Sequence, residues 1–230
     1  MARKAQPAMA GVARRQLHVL LLLDCSGSMA GDRIASLNYA IRSAIPALRD
    51  AARDNPEIEV FLRALRFSSG AQWHIEEPTS VEELDWQDLQ AGGETDFGQA
   101  MTMAADLLEQ GIGPGRQLPP VIMLATDGLP TDEYQGPLKR LLELEQSQKA
   151  VRLAIGIGND ADQEVLSGFI ADSRLHPLQA SNSAELVHYI SWATTAPVKA
   201  TSSANNAPDG IASMMDGVEV IDTPDSEIVW

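Results

Sequence analysis

Apolar and polar positions follow two periodicities along this chain, and the two alternate. Largely apolar runs, typical of strands that are covered on both faces, occupy residues 17–23, 121–126 and 151–157. Apolar residues recur at helical spacing through residues 33–53, 97–110, 136–148, 162–171 and 183–193. This alternation predicts an α/β fold, with a Rossmann-like, doubly wound, mostly parallel sheet and helices on both of its faces.

The second strand region interrupts the alternation. Residues 58–67 have a strand-like pattern, and a Ser-Ser-Gly turn separates them from residues 71–75. Because strands joined by so short a turn run antiparallel, we predict one antiparallel strand at an edge of the sheet. A further short strand is predicted at residues 175–178, and Pro46 should kink helix 33–53 or mark its last turns.

Both ends of the chain differ in composition from its centre. Residues 1–15 are small, basic and without periodicity, which predicts a mobile basic N-terminal arm, and residues 16–194 form the predicted domain. Residues 195–230 are predicted to be a linker followed by an acidic C-terminal tail. The tail is either a solvated end or a segment that docks through residues 218–221 or 228–230, in its own chain or another.

The charge balance excludes some classes of partner. The chain of 230 residues has 32 acidic and 17 basic residues, a formal net charge of −15 and a sequence pI near 4.5. This charge repels phosphate backbones and anionic lipid headgroups, so we expect neither a nucleic-acid nor a membrane partner. A hydrophobic content of 44% is enough for a buried core.

The expected location is the cytoplasm. One cysteine cannot form an internal disulfide, which fits a reducing compartment. Arg14-Arg15 before the run 17–23 faintly resemble a twin-arginine signal, but the run has only about seven residues and ends in Asp24. No stretch of the sequence approaches the roughly 18 to 20 apolar residues that span a bilayer.

Three polar segments follow predicted strands or open a predicted helix, which is where open α/β sheets bind ligands. They are Asp24-Cys-Ser26-Gly-Ser28, Gly92-Gly-Glu-Thr95-Asp96 and Thr126-Asp127-Gly128. Their candidate ligands are hard oxygen donors, namely two carboxylates and three hydroxyls. Asp24, Ser26 and Ser28 alternate along a short loop and can converge on one ion, while Thr95 and Asp127 close the remaining directions directly or through water.

Such a donor set predicts a particular kind of binding chemistry. Mg²⁺ prefers octahedral oxygen coordination and keeps some water, so we expect Mg²⁺ or Mn²⁺ in preference to Ca²⁺. With only two carboxylates the ion keeps residual positive charge, and a carboxylate from another protein can complete its coordination. Gly93, Glu94 and Gly128 flank the ligands and are the predicted partner contacts. Alone, the loop at residues 24–28 fits turn and cap residues equally well; Thr95 and Asp127 favour the metal site.

At these residues the sequence resembles a known family. The D-x-S-x-S loop, the Thr after a Gly-Gly turn and the strand-end Thr-Asp-Gly are together similar to the metal-ion-dependent adhesion site (MIDAS) of von Willebrand factor A (VWA) domains. The resemblance covers roughly residues 16–193. Within the superfamily, the bacterial TerY-like branch is most similar, at residues 24–29, Gly31, Ile34, Leu37-Asn38 and 126–132.

The resemblance implies a ligand set and a setting. Asp24, Ser26, Ser28 and Thr95 would be direct ligands, and Asp127 a direct or water-bridged one. The TerY-like branch is associated with tellurite-resistance and stress loci, which suggests a protein kinase or phosphatase as partner. The sequence departs from the pattern of that branch at Cys25 and Glu94. Glu94 either disfavours an acidic partner or points to solvent.

Three functions from different classes remain open. The first, which we favour, is a metal-dependent protein-interaction module without enzymatic activity, acting as a scaffold in a stress-response or signalling assembly. The second is a Mg²⁺-dependent phosphohydrolase that uses Asp24, which is disfavoured because Ser26 stands where this chemistry usually needs a second carboxylate. The third is a structural subunit that assembles through the C-terminal tail.

Several other residues have simpler structural interpretations. Cys25 is predicted to pack as a small buried thiol, and His18 to pack within the first strand. Gly156-Ile-Gly158-Asn-Asp160 is predicted to be a strand-end turn near the metal face, because it lacks the third glycine of a dinucleotide loop. Asp96 is a predicted N-cap of helix 97–110, and Asp132 either caps the helix that follows it or stabilises the site loop.

Overall fold

The computed structural model describes residues 14–202, so most of the predicted N-terminal arm and the acidic tail lie outside the described residues. In chain order its strands are β1 (Arg15–Asp24), β2 (Ile58–Ser68), β3 (Gly70–Ser80), β4 (Val121–Thr126), β5 (Val151–Ile157) and β6 (Leu178–Ala180). Their order across the sheet is β3-β2-β1-β4-β5-β6, and every neighbouring pair is parallel except β2 and β3. The predicted α/β fold with one antiparallel edge strand is confirmed.

The helices cover the sheet in two layers. They are α1 (Asp32–Arg53), α2 (Phe97–Gln110), α3 (Gln135–Glu143), α4 (Glu145–Lys149), α5 (Gln163–Ile170) and α6 (Ser183–Ser202), with a 3₁₀ turn at Gly27–Met29. The crossover through α1 and the crossover through α2 run in opposite directions across the sheet, so right-handed connections place these two helices on opposite faces. Helix α6 packs along α1, and α3 packs along α2. No helix in the described part of the chain is long and apolar enough to cross a membrane.

The two central strands carry the core, and the edge strand does not. Residues 17–24 of β1 and all of β4 are buried, because each of these strands has neighbours on both sides and helices on both faces. Strand β3, by contrast, has no fully buried residue and contains Pro78, which an edge strand tolerates because no ladder hydrogen bond is needed there. The position of a strand in the sheet therefore explains its hydrophobic pattern.

Some predicted bounds agree with the structure and others do not. Strands β4 and β5 and helix α2 begin and end at the predicted residues. The helix predicted at residues 136–148 is divided, because Leu144 is extended (φ −67°, ψ 135°) and packs against the core. Apolar spacing continues across Leu144, so the pattern does not show this break. The strand predicted at residues 175–178 begins only at Leu178, since Pro177 has no N–H for the ladder.

The C-terminal boundary also differs from the prediction. A linker beginning at residue 195 is wrong for residues 195–202, which continue α6. Val198 and Ala200 in this part of α6 are buried, and α6 packs along α1, so tertiary contacts stabilise a segment whose composition indicates a linker. The hydroxyls of Thr194 and Thr195 donate to backbone carbonyls of the preceding turn at 2.8 and 2.7 Å, which satisfies polar atoms that the packing buries.

Candidate metal centre

The candidate site lies where the chain changes direction across the sheet. After β1 the chain runs to β2 and β3 on one side and then returns to β4 on the other, so the carboxyl ends of β1 and β4 are adjacent, with Leu23 paired to Ala125. A switch point of this kind leaves a crevice between the loops that follow the two strands. Asp24 and Thr126 end these strands and are hydrogen-bonded to each other there.

Asp24 is fully buried, and both of its carboxylate oxygens accept hydrogen bonds. Oδ1 accepts from the backbone N–H of Ser26 at 2.8 Å, and Oδ2 accepts from Thr126 Oγ1 at 2.5 Å. Burial raises the pKa of Asp24 above its ordinary value, although these hydrogen bonds oppose the shift. Within residues 14–202 no cationic side chain forms an ion pair with Asp24, so a bound cation would compensate its charge.

Ser26, Ser28 and Asp127 form a hydrogen-bonded chain with a definite direction. Ser28 Oγ donates to Asp127 Oδ1 at 2.8 Å, which uses its single hydrogen. The 2.9 Å contact between the hydroxyls of Ser26 and Ser28 therefore has Ser26 as its donor. Each hydroxyl oxygen keeps at least one lone pair, and together with the Asp24 carboxylate they form a set of hard donors that fits a divalent ion.

The second predicted segment is held against the first by its backbone. The N–H of Gly27 donates to the carbonyl of Gly93 at 2.9 Å, and the N–H of Gly92 donates to the carbonyl of Cys25 at 2.8 Å. The described contacts thus bring the Thr95 segment to the site through main-chain hydrogen bonds. The three predicted segments meet at one edge of the sheet.

Thr95 itself is positioned by the loop that follows β4. It is buried, its N–H donates to Thr131 Oγ1, and its carbonyl accepts from the N–H of Thr131, each at 2.9 Å. These paired hydrogen bonds fix the backbone of Thr95 against the loop that follows β4. The same loop carries Asp127, so the position of one predicted ligand depends on that of the other.

The rim of the site is exposed and rich in glycine. Gly93 has φ +89°, and a Cβ there would lie 2.6 Å from Ser69 Oγ, so this close approach requires glycine. Glu94 is exposed, and its backbone N–H donates to Ser69 Oγ at 3.1 Å. Gly128 lies beside Ser28, since a Cβ on Gly128 would be 3.7 Å from the Ser28 hydroxyl. Of the predicted partner contacts, Gly128 therefore lies beside the exposed Ser28, and Gly93 lies against Gly27 in the same loop.

Sequence reasoning missed Arg33, a charged residue at the site. Arg33 donates from Nη1 to Asp127 Oδ2 at 2.5 Å and from Nη2 to Asp160 Oδ2 at 2.9 Å. The ion pair with Asp160 places the turn after β5 beside Arg33 and Asp127, near the residues at which the metal site is predicted. The sequence does show Arg33 as a cation in the first turn of the helix that follows residues 24–28. Its two partners, however, lie 94 and 127 positions away in sequence, so the sequence does not reveal the contacts.

The helix caps at this edge differ from the prediction. Asp96 occupies the N-cap position of α2, as predicted, but its side chain makes no capping hydrogen bond; its Oδ2 instead accepts from the N–H of Gly70 at 2.7 Å. Asp132 caps α2, accepting from the N–H groups of Gly98 and Gln99 at 2.9 and 3.0 Å. Of the two roles predicted for Asp132, capping of the helix that follows it is therefore wrong, and these hydrogen bonds fit the alternative, stabilisation of the site loop. The Asp132 carboxylate joins the loop after β4 to the start of α2, whose first N–H groups need acceptors.

The remaining candidates add no further ligand. Cys25 is buried, as predicted, and burial raises the pKa of its thiol to about 12, which excludes a reactive thiolate. Among residues 14–202 no three His, Cys, Asp or Glu side chains are grouped to hold a metal ion. The candidate centre therefore depends on hydroxyl oxygens beside its two carboxylates.

Comparison with known proteins identifies the family. The model of the von Willebrand factor type A domain matches residues 18–191, and the chain belongs to this family. Similar solved structures include a von Willebrand factor type A protein from Catenulispora acidiphila, with 20% identity and a TM-score of 0.61, covering 80% of this chain and 42% of that one. The ArnB paralog VWA2 from Sulfolobus acidocaldarius has 19% identity and a TM-score of 0.58, covering 78% and 45%.

A third similar structure contains a metal. Proximal thread matrix protein 1 from the mussel byssus, with a zinc-occupied MIDAS motif, has 14% identity and a TM-score of 0.58, covering 81% of this chain and 47% of that one. At these identities the likeness shows the shared fold, and this chain spans less than half the length of each of the three. No curated protein matches the chain by sequence.

Proposed function

We propose that this chain is a metal-dependent protein-interaction module in which Asp24, Ser26, Ser28 and Thr95 hold a divalent ion. A carboxylate of a partner protein completes the coordination, and Asp127 supports the set through Ser28 or through water. The observation that carries the proposal is Asp24, a fully buried carboxylate without a cationic partner in the described residues, next to two hydroxyls with available lone pairs. A buried unpaired charge is destabilising, and a bound cation removes that penalty.

The donor set favours Mg²⁺ or Mn²⁺ over Ca²⁺. All proposed ligands are oxygens, which suit Mg²⁺ and Mn²⁺, whereas Ca²⁺ takes more ligands in a wider shell. The zinc in the MIDAS motif of proximal thread matrix protein 1 supports a divalent ion at this place in the fold and does not select the metal for this chain.

The surface around the site supports a protein as the ligand. Leu129, two residues after Asp127, is a large hydrophobic side chain with 60% exposure. With Gly93, Glu94 and Gly128 it forms the proposed contact surface. A partner that presents a carboxylate beside an apolar side chain would bind the ion and cover Leu129, while Glu94 disfavours further acidic groups on that partner.

An enzymatic role is not part of the proposal. A phosphohydrolase would need Asp24 as its nucleophile, but Asp24 is buried and both of its oxygens are hydrogen-bonded. Ser26, two positions on, supplies no carboxylate for acid–base catalysis. Hydrolysis of a generic phosphoester in the presence of Mg²⁺, lost in Asp24→Asn, would favour the enzyme instead.

The proposed setting is a bacterial stress-response or signalling assembly of the TerY-like kind, with a protein kinase or phosphatase as candidate partner. The sequence similarity at residues 24–29 and 126–132 supports this setting. We place the module in the cytoplasm, and the single, buried cysteine is compatible with a reducing compartment.

Ion binding is the first test. Wild-type protein should bind Mn²⁺ or Mg²⁺ in calorimetric titration, and the ion should raise its melting temperature. Asp24→Asn keeps the shape of the side chain but removes its charge, so we expect both responses to be lost.

A matched variant controls for the general loss of an acidic charge. Asp106→Asn removes an exposed carboxylate that pairs with Arg140 away from the site, and it should bind the ion as wild type does. Absence of ion binding in wild type, or undiminished binding in Asp24→Asn, would overturn the proposal. Partner binding is then tested with immobilised wild type and Asp24→Asn, with and without chelator. A partner that binds equally under all four conditions contradicts a metal-dependent interaction.

A further inference from the structure

Arg33 places a positive charge directly beside the candidate metal centre. We propose that Arg33 is a built-in counter-ion of this centre: it neutralises Asp127 in the ion-free protein and lowers the affinity of the site for divalent ions. This inference rests on the proposed function, because it concerns regulation of the same site. Its basis is the pairing of Arg33 with Asp127 at 2.5 Å on one side, while Ser28 donates to Asp127 on the other.

Asp127 is the principal partner of Arg33. The side chain of Asp127 is fully buried and that of Arg33 is 16% exposed, whereas the side chain of Asp160 is 73% exposed. An exposed ion pair contributes little because water screens it, while loss of a partner from a buried pair leaves an uncompensated charge. The contact between Arg33 and Asp127 therefore dominates, and Asp160 holds the outer edge of the guanidinium.

The turn after β5 provides a place for the guanidinium. Gly158 has φ +75°, and a Cβ on this residue would lie 2.9 Å from Arg33 Nη2 and 3.2 Å from Cζ. The guanidinium thus lies against a backbone that only glycine leaves open. The N–H of Gly158 donates to the carbonyl of Ala180 at 2.8 Å, which fixes this turn to β6.

An ion at the site must share Asp127 with Arg33. Arg33 neutralises the charge of Asp127, so a metal ion that uses this carboxylate, directly or through water, competes with the guanidinium for that charge. The ion and the guanidinium also repel each other across a partly buried site, where charges are poorly screened. Both effects lower the affinity for the ion.

The same ion pair has the opposite effect on the ion-free protein. Without Arg33, the buried charge of Asp127 would have no cation among the described residues. Arg33 therefore stabilises the ion-free form and disfavours the ion-bound form. Its removal should change the two forms in opposite directions, which distinguishes a counter-ion from a residue that simply supports the fold.

The decisive variant is Arg33→Met, which keeps the length of the side chain and removes its charge. Its affinity for Mn²⁺, measured by calorimetric titration, should rise by about tenfold or more relative to wild type. In chelator its melting temperature should fall, and the rise caused by Mn²⁺ should exceed that of wild type. Arg42→Met is the matched control, because it removes the same charge from the same helix at an exposed pair with Asp88. It should change the affinity by less than about twofold.

A second variant keeps the test decisive if Arg33→Met does not fold. Arg33→Lys retains the charge but cannot contact two carboxylates with one planar group. Its affinity for Mn²⁺ should therefore lie between those of wild type and Arg33→Met. If only Arg33→Lys folds, its affinity should be higher than that of wild type. If wild type binds the ion and neither variant binds it more tightly than Arg42→Met does, the counter-ion inference is wrong and the proposed function stands. Ion binding by Arg33→Met but not by wild type supports the counter-ion inference and overturns the proposed function, because the wild-type chain then holds no ion. Failure of wild type and both variants to bind overturns both.

Discussion

The two ends of β1 bury polar side chains in opposite ways. At the carboxyl end, Asp24 is fully buried and each of its oxygens accepts a hydrogen bond. Near the amino end, His18 is only 5% exposed, yet neither ring nitrogen has a hydrogen-bond partner in the described residues. Gln16 Oε1, on the same face of the strand, also lacks one. Partners are arranged around the buried carboxylate and not around the buried imidazole.

The surroundings of His18 explain how it is accommodated. Its ring stacks on Phe61 with the centroids 5.4 Å apart, and it lines a small apolar cavity with Leu108 and Ile112. Burial, helped by the charge of Arg63, lowers the pKa of His18 to about 4, so the ring is neutral near pH 7. His18 packs as an aromatic ring, as the sequence predicts, while Asp24 keeps an ionisable group beside a set of oxygen donors.

The difference between the two ends has an energetic consequence. Removal of one partner of a buried hydrogen bond leaves the other unsatisfied, which costs more than the bond itself contributed. A buried polar atom that has no partner can be replaced by an apolar group of similar shape at little cost. Substitutions at the two ends should therefore differ strongly in their effect on stability.

The largest effect is expected for Thr126→Val at the carboxyl end. Valine keeps the shape of threonine but leaves Asp24 Oδ2 without its donor, so the free energy of unfolding should fall by about 1–3 kcal/mol. The measurement is urea denaturation in chelator. Thr102→Val is the control, since it removes a part-buried hydroxyl that donates to the carbonyl of Gly98 within α2. Equal losses in the two variants would contradict a special role for the contact with Asp24.

A smaller loss of stability is expected for Asp132→Ala, which removes hydrogen bonds near the carboxyl end of β1 but leaves those of Asp24 in place. The variant leaves the N–H groups of Gly98 and Gln99 without their acceptor, and a lost helix cap costs about 1 kcal/mol. Asp162→Ala, which removes the local cap of α5, should give a similar loss and serves as a calibrant. If Asp132→Ala leaves the urea midpoint unchanged, the loop after β4 does not stabilise α2.

The smallest effect near pH 7 is expected for His18→Leu at the amino end. Neither ring nitrogen has a partner to lose, so the free energy of unfolding should stay within about 1 kcal/mol of wild type. A loss larger than that of Thr126→Val would reverse the contrast between the two ends. Urea denaturation of both variants beside wild type measures the two changes in the free energy of unfolding.

His18→Leu should also change how the stability of the protein depends on pH. The pKa of His18 falls from 6.5 in the unfolded chain to about 4 in the folded protein, so the unfolded state takes up the proton first as the pH decreases. Wild type should therefore lose stability between about pH 6.5 and about pH 4, and His18→Leu should lose less over this window. If the free energy of unfolding depends on pH in the same way for wild type and His18→Leu, the pKa of His18 is not lowered by folding.

The sequence predicted those features that depend on local pattern. The largely apolar runs of β4 and β5 reveal their full length because a strand covered on both faces is apolar at most positions. The exception in β5 is Arg152, which is buried and donates to the backbone carbonyls of Phe169 and Ile170. Polar residues at strand ends indicated a site at the carboxyl ends of the parallel strands, and hydrogen bonds join Asp24, Ser26, Ser28 and Asp127 there. Their role as ligands stays a prediction until an ion is titrated.

Other features depend on contacts between distant residues. Arg33 reaches Asp127 and Asp160 only because the sheet places the loops after β4 and β5 beside the start of α1. Asp132 caps a helix that begins 35 residues earlier in the chain, at Phe97, because the loop after β4 lies across the N-terminus of α2. No local pattern contains this information.

The sequence by itself therefore determined the fold class, the central strands and the edge of the sheet at which oxygen donors collect. These follow from periodicity and from the direction of parallel strands, which are local properties of the chain. The tertiary structure decided how charges at that edge are balanced, since Asp24 is buried without a cation while Asp127 receives Arg33. Compensation of charge depends on distance in space, and residues far apart in sequence supply it.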